Sequence, residues 1–252
     1  MRMIGQWIVG LLLVAGGAAS ARVASLTLAA YQAPLLRSSG HPNEINRWHG
    51  LWQYDNDRAD RALTYFLRAA EYGDKPSQHF LSLMYWNGEG VDRDPAQAYA
   101  WADLAAERGN NAELLRIRES MWRDLTPEQQ AESIEIGRGY YRRYGDEAAR
   151  RRTDGDVRRF ARMQTGSRAG LLTSPLGVKM GRPELWGGGA EPKFGRLTST
   201  GTNFYSDSRT RPTEYWKSED QSFDVLMKQV GGGTVRVHDI DVVRDPPPAK
   251  GE

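Results

Sequence analysis

A mainly α fold is predicted for this 252-residue chain: a short α-solenoid of about three helix-turn-helix pairs, with an irregular, partly β C-terminal extension. Three observations predict it. Two stretches overlay at an offset of 36 residues without a gap, the stretch between them carries apolar residues at helical spacing, and composition changes sharply after residue 165. A period of this size marks stacked supersecondary units, none of which can bury its apolar face alone.

The overlay places Ala62, Tyr65, Ala69-Ala70, Glu71 and Gly73 on Ala98, Trp101, Ala105-Ala106, Glu107 and Gly109. Ala98, Trp101, Ala105 and Ala106 fall at i, i+3, i+7 and i+8, one face of a helix. The Ala pair admits a close neighbour and the aromatic residue fills the next layer. Asp94-Pro95 supplies an N-cap with Pro at the first helical position, and Gly109 stands where a helix end wants a residue tolerant of positive φ. Between the two copies, Pro76 to Asn87 reads as a helix through Phe80, Leu81, Met84 and Tyr85, and Gly88-Glu89-Gly90-Val91 ends it in a tight turn.

These residues resemble the Sel-one-like repeat family, a short relative of the tetratricopeptide repeat. The family pattern Leu-Gly-x-Met-Tyr, Gly-x-Gly-Val-x-x-Asp and Ala-x-x-Trp-x-x-x-Ala-Ala-x-x-Gly becomes here Leu81-Ser82-Leu83-Met84-Tyr85, then Gly88 to Asp94, then Ala98 to Gly109. Ser82 alone departs, standing where the family packs a Gly. The resemblance implies an adaptor that binds other proteins. In a tetratricopeptide-like register, His79, Leu83, Trp86 and Asn87 line the inner face of the 76–87 helix and become candidates for a protein-binding groove; cover by the next helix or by the C-terminal module is the competing reading.

Further helices are expected at Asn43 to Tyr54, Asn111 to Asp124, and Pro127 to about Tyr144, the last capped by Thr126 and closing the stack. The repeat domain is thus expected over 43–145, after a linker at 22–42. An Arg-rich helical hinge follows at 146–168, then a Gly/Pro-rich, partly ordered region at 169–252. In that last region Pro212 to Lys228 reads as a helix and Thr234 to Val243 alternates like a strand. Phe204-Tyr205, Tyr215-Trp216 and Phe223 are out of place in a free linker.

The N-terminus reads as an address. Arg2, the apolar run Ile8 to Ala15, and Ala19-Ser20-Ala21 make a secretory signal peptide over 1–21, cut between Ala21 and Arg22. Export, most simply to a periplasm, follows. The alternative is an inner-membrane anchor formed by residues 4–21, which Gly10, Gly16, Gly17 and Arg22 weaken. A later cut at Ala29-Ala30 is also open.

Composition excludes several functions. Without Cys there is no disulfide framework, thiolate zinc site, iron–sulfur cluster or Cys nucleophile. Lys+Arg 34 against Asp+Glu 32 excludes a surface that is basic throughout. There is no Gly-Lys pair for a phosphate loop, Ser167 misses nucleophile-elbow spacing, and Asp55 to Phe66 lacks the Gly and Glu of a calcium loop. The four His show no metal-ligand spacing, and Glu128, Glu132 and Glu135 read as a solvated face. No cofactor is expected and no catalytic residue stands out. Arg150, Arg151, Arg152, Arg158, Arg159 and Arg162 form a basic cluster, read as a solvated helix face or as weak contact with an anionic membrane surface. Nucleic acid is not expected, because aromatics do not interleave with these arginines.

The expectation is therefore a non-enzymatic, exported scaffold mediating protein–protein interaction in the cell envelope. Two alternatives stay open: an enzyme or enzyme subunit with its site in 165–252, and an Arg-mediated binder of anionic envelope lipid or polymer.

Overall fold

Apolar residues at helical spacing, punctuated by Pro, Asp and Gly, fold as a run of short helices. A computed structural model describes residues 28–163, 175–178, 197–200 and 204–230. Their order is α1 (Leu28–Arg37), α2 (Pro42–Asp55), α3 (Ala59–Ala70), α4 (Lys75–Asn87), α5 (Pro95–Ala105), α6 (Ala112–Asp124), α7 (Pro127–Tyr144), α8 (Asp146–Arg162), β1 (Pro175–Val178), β2 (Leu197–Thr200), α9 (Asp207–Thr210) and α10 (Pro212–Val230). The expected α-solenoid is present. Its boundaries follow local chemistry: the side chains of Asp74, Asp94 and Asn111 accept from the backbone N–H of Ser77, Gln97 and Leu114. Thr126 and Gln129 close a reciprocal capping box on α7.

Two glycines end α4 and seat the turn. Gly88 caps the helix at φ 75°, and Gly90 follows at φ 72° with its backbone so close to α3 that a Cβ would lie 2.4 Å from the Ala59 carbonyl carbon. The core runs through α2 to α5 as Leu51, Ala62, Phe66, Ala70, Phe80, Leu81, Met84, Trp101 and Leu104. Phe66 stacks on Phe80 with centroids 5.0 Å apart, and Trp101 meets Tyr140 and Tyr144 of α7 at 4.4 and 4.9 Å. Ser82 is fully buried, and its hydroxyl lies 3.4 Å from the Met121 sulfur, so the departure from Gly is absorbed by a soft partner.

Three features differ from the sequence expectation. The 22–42 stretch, expected as a linker, contains α1, whose Tyr31, Leu35 and Leu36 are buried; Pro34 inside it and Ser38-Ser39-Gly40 behind it obscured the pattern. The pairing is regular for α2 with α3 and α4 with α5, but α6 and α7 each pack on α5 rather than chiefly on each other. The partly β C-terminal extension is not supported as such. Residues 204–230 are mostly helical, while β1 and β2 are four-residue strands paired antiparallel, Pro175 opposite Thr200 and Val178 opposite Leu197. The strand expected at Thr234 to Val243 lies outside the described residues, as does the signal segment with Ala21 and Arg22.

Two glycines on helices make opposite predictions. A Cβ on Gly50 of α2 would sit 2.5 Å from the Phe66 ring, which is itself buried against Phe80, so Gly50→Ala should cost about 1–3 kcal/mol. Gly155 of α8 has no atom within 4 Å of its Cβ position, and Gly155→Ala should stabilise by about 0.5–1 kcal/mol. Urea midpoints of the two variants should move in opposite directions.

Candidate functional site

In the tetratricopeptide-like register α2 and α4 line the inner, concave side of the array, and α10 lies across α2, α4, the start of α6 and α8. Tyr215, Trp216, Glu219, Asp220 and Phe223 stand at i, i+1, i+4, i+5 and i+8, so they share one face of α10. Each meets a distinct partner. The Tyr215 hydroxyl lies 2.9 Å from both Asn43 Oδ1 and Glu44 Oε1 of α2, able to donate to one at a time. Glu219 accepts from Arg47 at 2.9 Å and from Asn43 at 3.1 Å. The Trp216 indole N–H donates to Asp154 of α8 at 3.0 Å, while the Arg108 and Arg150 guanidiniums lie 4.7 and 5.3 Å from its ring centroid. Asp220 accepts from Arg108. Phe223 reaches the His79 ring edge-on at 6.4 Å and packs with Ala105, Ala106 and Leu114.

Two charge clusters underlie these contacts. In the first, the Arg47 guanidinium sits between Glu219 and Asp74, the latter 3.6 Å away and fully buried while it also caps α4. Burial alone would push Arg47 down, but Asp74 and Glu219 hold it above the usual arginine range. Glu219 is held up at about 7 by burial and by the negative charges of Glu44 and Asp74, against the pull of Arg47. Burial pushes Glu44 up as well, but His41, Arg209 and Arg47 bring it below the ordinary range. In the second cluster, Lys75 donates to the Leu104 carbonyl at the end of α5 and to Glu107, and lies 3.1 Å from Asp146. Arg108 pairs with Asp146 at 2.7 Å and donates to the Gly73 carbonyl. The repeat turns, the start of α8 and α10 are thereby bound at one point.

α9 adds a third attachment. His41 Nε2 lies 2.9 Å from the Arg209 carbonyl, and Nδ1 lies 2.9 Å from the Arg209 guanidinium and 3.1 Å from the Ser39 carbonyl. The His41 ring stacks on Tyr215 at 4.8 Å.

The four groove candidates do not form one open surface. His79 is buried beneath Phe223, Leu83 and Trp86 are half-buried against Ile117 and Met121 of α6, and Asn87 is exposed. Arg93 lies over the Trp86 ring at 5.6 Å. The basic candidates also divide. Arg150 helps to hold Trp216, and Arg152 donates to the Glu71 and Arg143 carbonyls that end α3 and α7. Arg158 and Arg159 pair along α8 with Asp154 and Asp156. Arg151, Arg158 and Arg162 are exposed and share one side of the helix. Asn43, Arg47, Asp74 and Arg108 were missed, and no local signal marks them: Asp74 and Arg108 stand in the turns after α3 and α5, and Asn43 and Arg47 in a helix of mixed polarity. Among the described residues, no group of three His, Asp or Glu is placed to hold a metal ion, and no helix is long and apolar enough to cross a membrane.

Residues 48–74 and 75–110 each match the family model of the Sel1 repeat. The chain carries two Sel1 repeats. Their junction falls at Asp74, the cap of α4. No curated protein matches the chain. Among solved structures, a protective antigen present in uropathogenic Escherichia coli strains and displaying an SLR fold is similar at 25% identity, over 56% of this chain and 27% of that one, with a TM-score of 0.39. This chain therefore spans about a quarter of that protein's length. Sel1 repeats generally mediate protein–protein interaction and typically belong to non-enzymatic scaffolds.

Buried histidines set a pH dependence. Burial pushes His49 and His79 down to about 4, so between about pH 6.5 and 4 the unfolded chain binds their protons first and stability falls with acid. Each should cost about 2 kcal/mol between pH 7 and pH 5. Glu219 works the other way: its folded form takes up a proton below about pH 7 that the unfolded form does not, so acid relieves it. Chemical denaturation of Glu219→Gln should therefore show a steeper loss from pH 7 to pH 5 than wild type, and His79→Gln a shallower one.

Proposed function

We propose that this protein is an exported scaffold that binds another protein in the cell envelope, using the concave face of its Sel1 repeats. One observation carries the reading: that face holds a helix, α10, through aromatic and charged side chains at helical spacing. Helix-in-groove recognition uses this kind of spaced anchor, and aromatics dominate the energy of such contacts. Export is supported by Arg2, the apolar run and Ala19-Ser20-Ala21. N-terminal sequencing of the exported protein should begin at Arg22; an intact Met1 would favour the anchor formed by residues 4–21.

Capture tests the scaffold reading. Immobilised mature chain should retain a partner from an envelope extract, and chemical cross-links should map to α2, α4 and α6. Cross-links confined to α3 and α7 would place the partner elsewhere. The exposed side of α8 with Arg151, Arg158 and Arg162 supports a weaker second contact, with an anionic membrane surface. Vesicles containing anionic lipid should sediment the protein at low salt and release it at high salt, and Arg151→Glu with Arg158→Glu should abolish this.

A further inference from the structure

The helix on the concave face is polar for a core element. Its buried anchors are Tyr215, Trp216 and Phe223, and between them stand Glu219 and Asp220, each matched to an arginine of the repeats. The receiving surface is complementary in the same order. Asn43 meets Tyr215 in the first turn, Arg47 and Arg108 meet Glu219 and Asp220 in the middle, and His79, Ala105, Ala106 and Leu114 meet the last anchor. A cleft of about 190 Å³, open to solvent on one side, remains between α10 and the repeats, bordered by Asn43, Lys75, Arg108, Leu114, Trp216 and Phe223.

The attachment also runs through side chains rather than chain continuity. α9, which directly precedes α10, is itself held to the repeats by the contacts of Arg209 with His41. An intramolecular helix competes with a free one through its effective concentration. With α10 lifted, Arg47 would keep Asp74 and the nearby Glu44 but lose Glu219, Arg108 would lose Asp220, and His79 and Leu114 would lose the cover of Phe223. That surface would present two arginines, each short of one acid, beside an apolar seat.

We infer that α10 is a displaceable internal ligand, and that the concave face of the Sel1 repeats takes in its place a partner's amphipathic helix with the pattern aromatic-aromatic-x-x-acid-acid-x-x-aromatic. The inference rests on the scaffold reading and names its partner class. Tyr215-Trp216-Lys217-Ser218-Glu219-Asp220-Gln221-Ser222-Phe223 is the template for that helix. The matching partner helix inserts its acids against Arg47 and Arg108 and its final aromatic against His79 and Leu114.

The test uses the full chain and a fluorescein-labelled peptide of residues 204–230, followed by anisotropy. Trp216→Ala with Phe223→Ala in the chain should loosen its own α10 and raise peptide affinity at least about tenfold over wild type. Asp220→Lys, which sets a second cation against Arg108 at a half-buried position and leaves the aromatic anchors in place, should do the same more weakly. A peptide carrying Glu219→Lys and Phe223→Ala should not bind. With wild-type chain and excess peptide, hydrogen exchange should speed up in α10 while α4 stays protected. Equal binding to wild type and to the folded variants, or binding that leaves α10 protected, would overturn the inference, since the peptide would then sit away from the seat of α10. Peptide displacement without any captured partner would sink the scaffold reading alone. A partner captured equally by wild type and by the double variant would sink this inference alone.

Discussion

The rest of the structure depends on the buried guanidinium of Arg47. It joins α2 to the cap of α4 through Asp74 and to α10 through Glu219, so one side chain ties two repeats and the C-terminal helix together. A charge removed from water is tolerable only when its partners satisfy it, and losing one partner of a buried pair typically costs about 3–5 kcal/mol. Three carboxylates, Glu44, Asp74 and Glu219, gather around this cation and Arg209. They cannot all hold full charge cheaply, which is why Glu219 is the one held near neutrality.

The repeat supplies the geometry that makes this cluster possible. Small residues at Ala69-Ala70 and Ala105-Ala106 let helices approach, and all four are buried. The turns that follow carry the charged groups. Glu71 and Glu107, equivalent in the repeat, both serve as junction acids: Glu71 pairs with Arg143, and Glu107 with Lys75 and the backbone of Asp146. The period that defines the fold thus also positions the ion pairs that hold α7 and α8.

The Arg-rich segment illustrates how charge is shared between structure and surface. Arg150 and Arg152 are spent on Trp216 and on helix-terminal carbonyls, as the negative ends of α3 and α7 favour. The side with Arg151, Arg158 and Arg162 stays exposed. A count of arginines along the chain could not separate the two groups, because helical rotation, not proximity in sequence, decides which side faces α10.

Residues 59–112 were legible from sequence because their determinants are local. The apolar period, Asp94-Pro95, Gly88 and Gly90 act within one or two turns, and the helices form where those signals place them. The sequence by itself also determined that Tyr215, Trp216 and Phe223 needed a surface to cover them. It could not identify that surface. Arg47 and Glu219 lie 172 residues apart, and no periodicity links them; the contact exists only once α2 and α4 are stacked and α10 has crossed both. His79 was readable as a groove residue from its register, but that Phe223 of the same chain covers it was decided by tertiary structure, because desolvating opposite charges and aromatic edges together is a property of two surfaces and not of either stretch of chain.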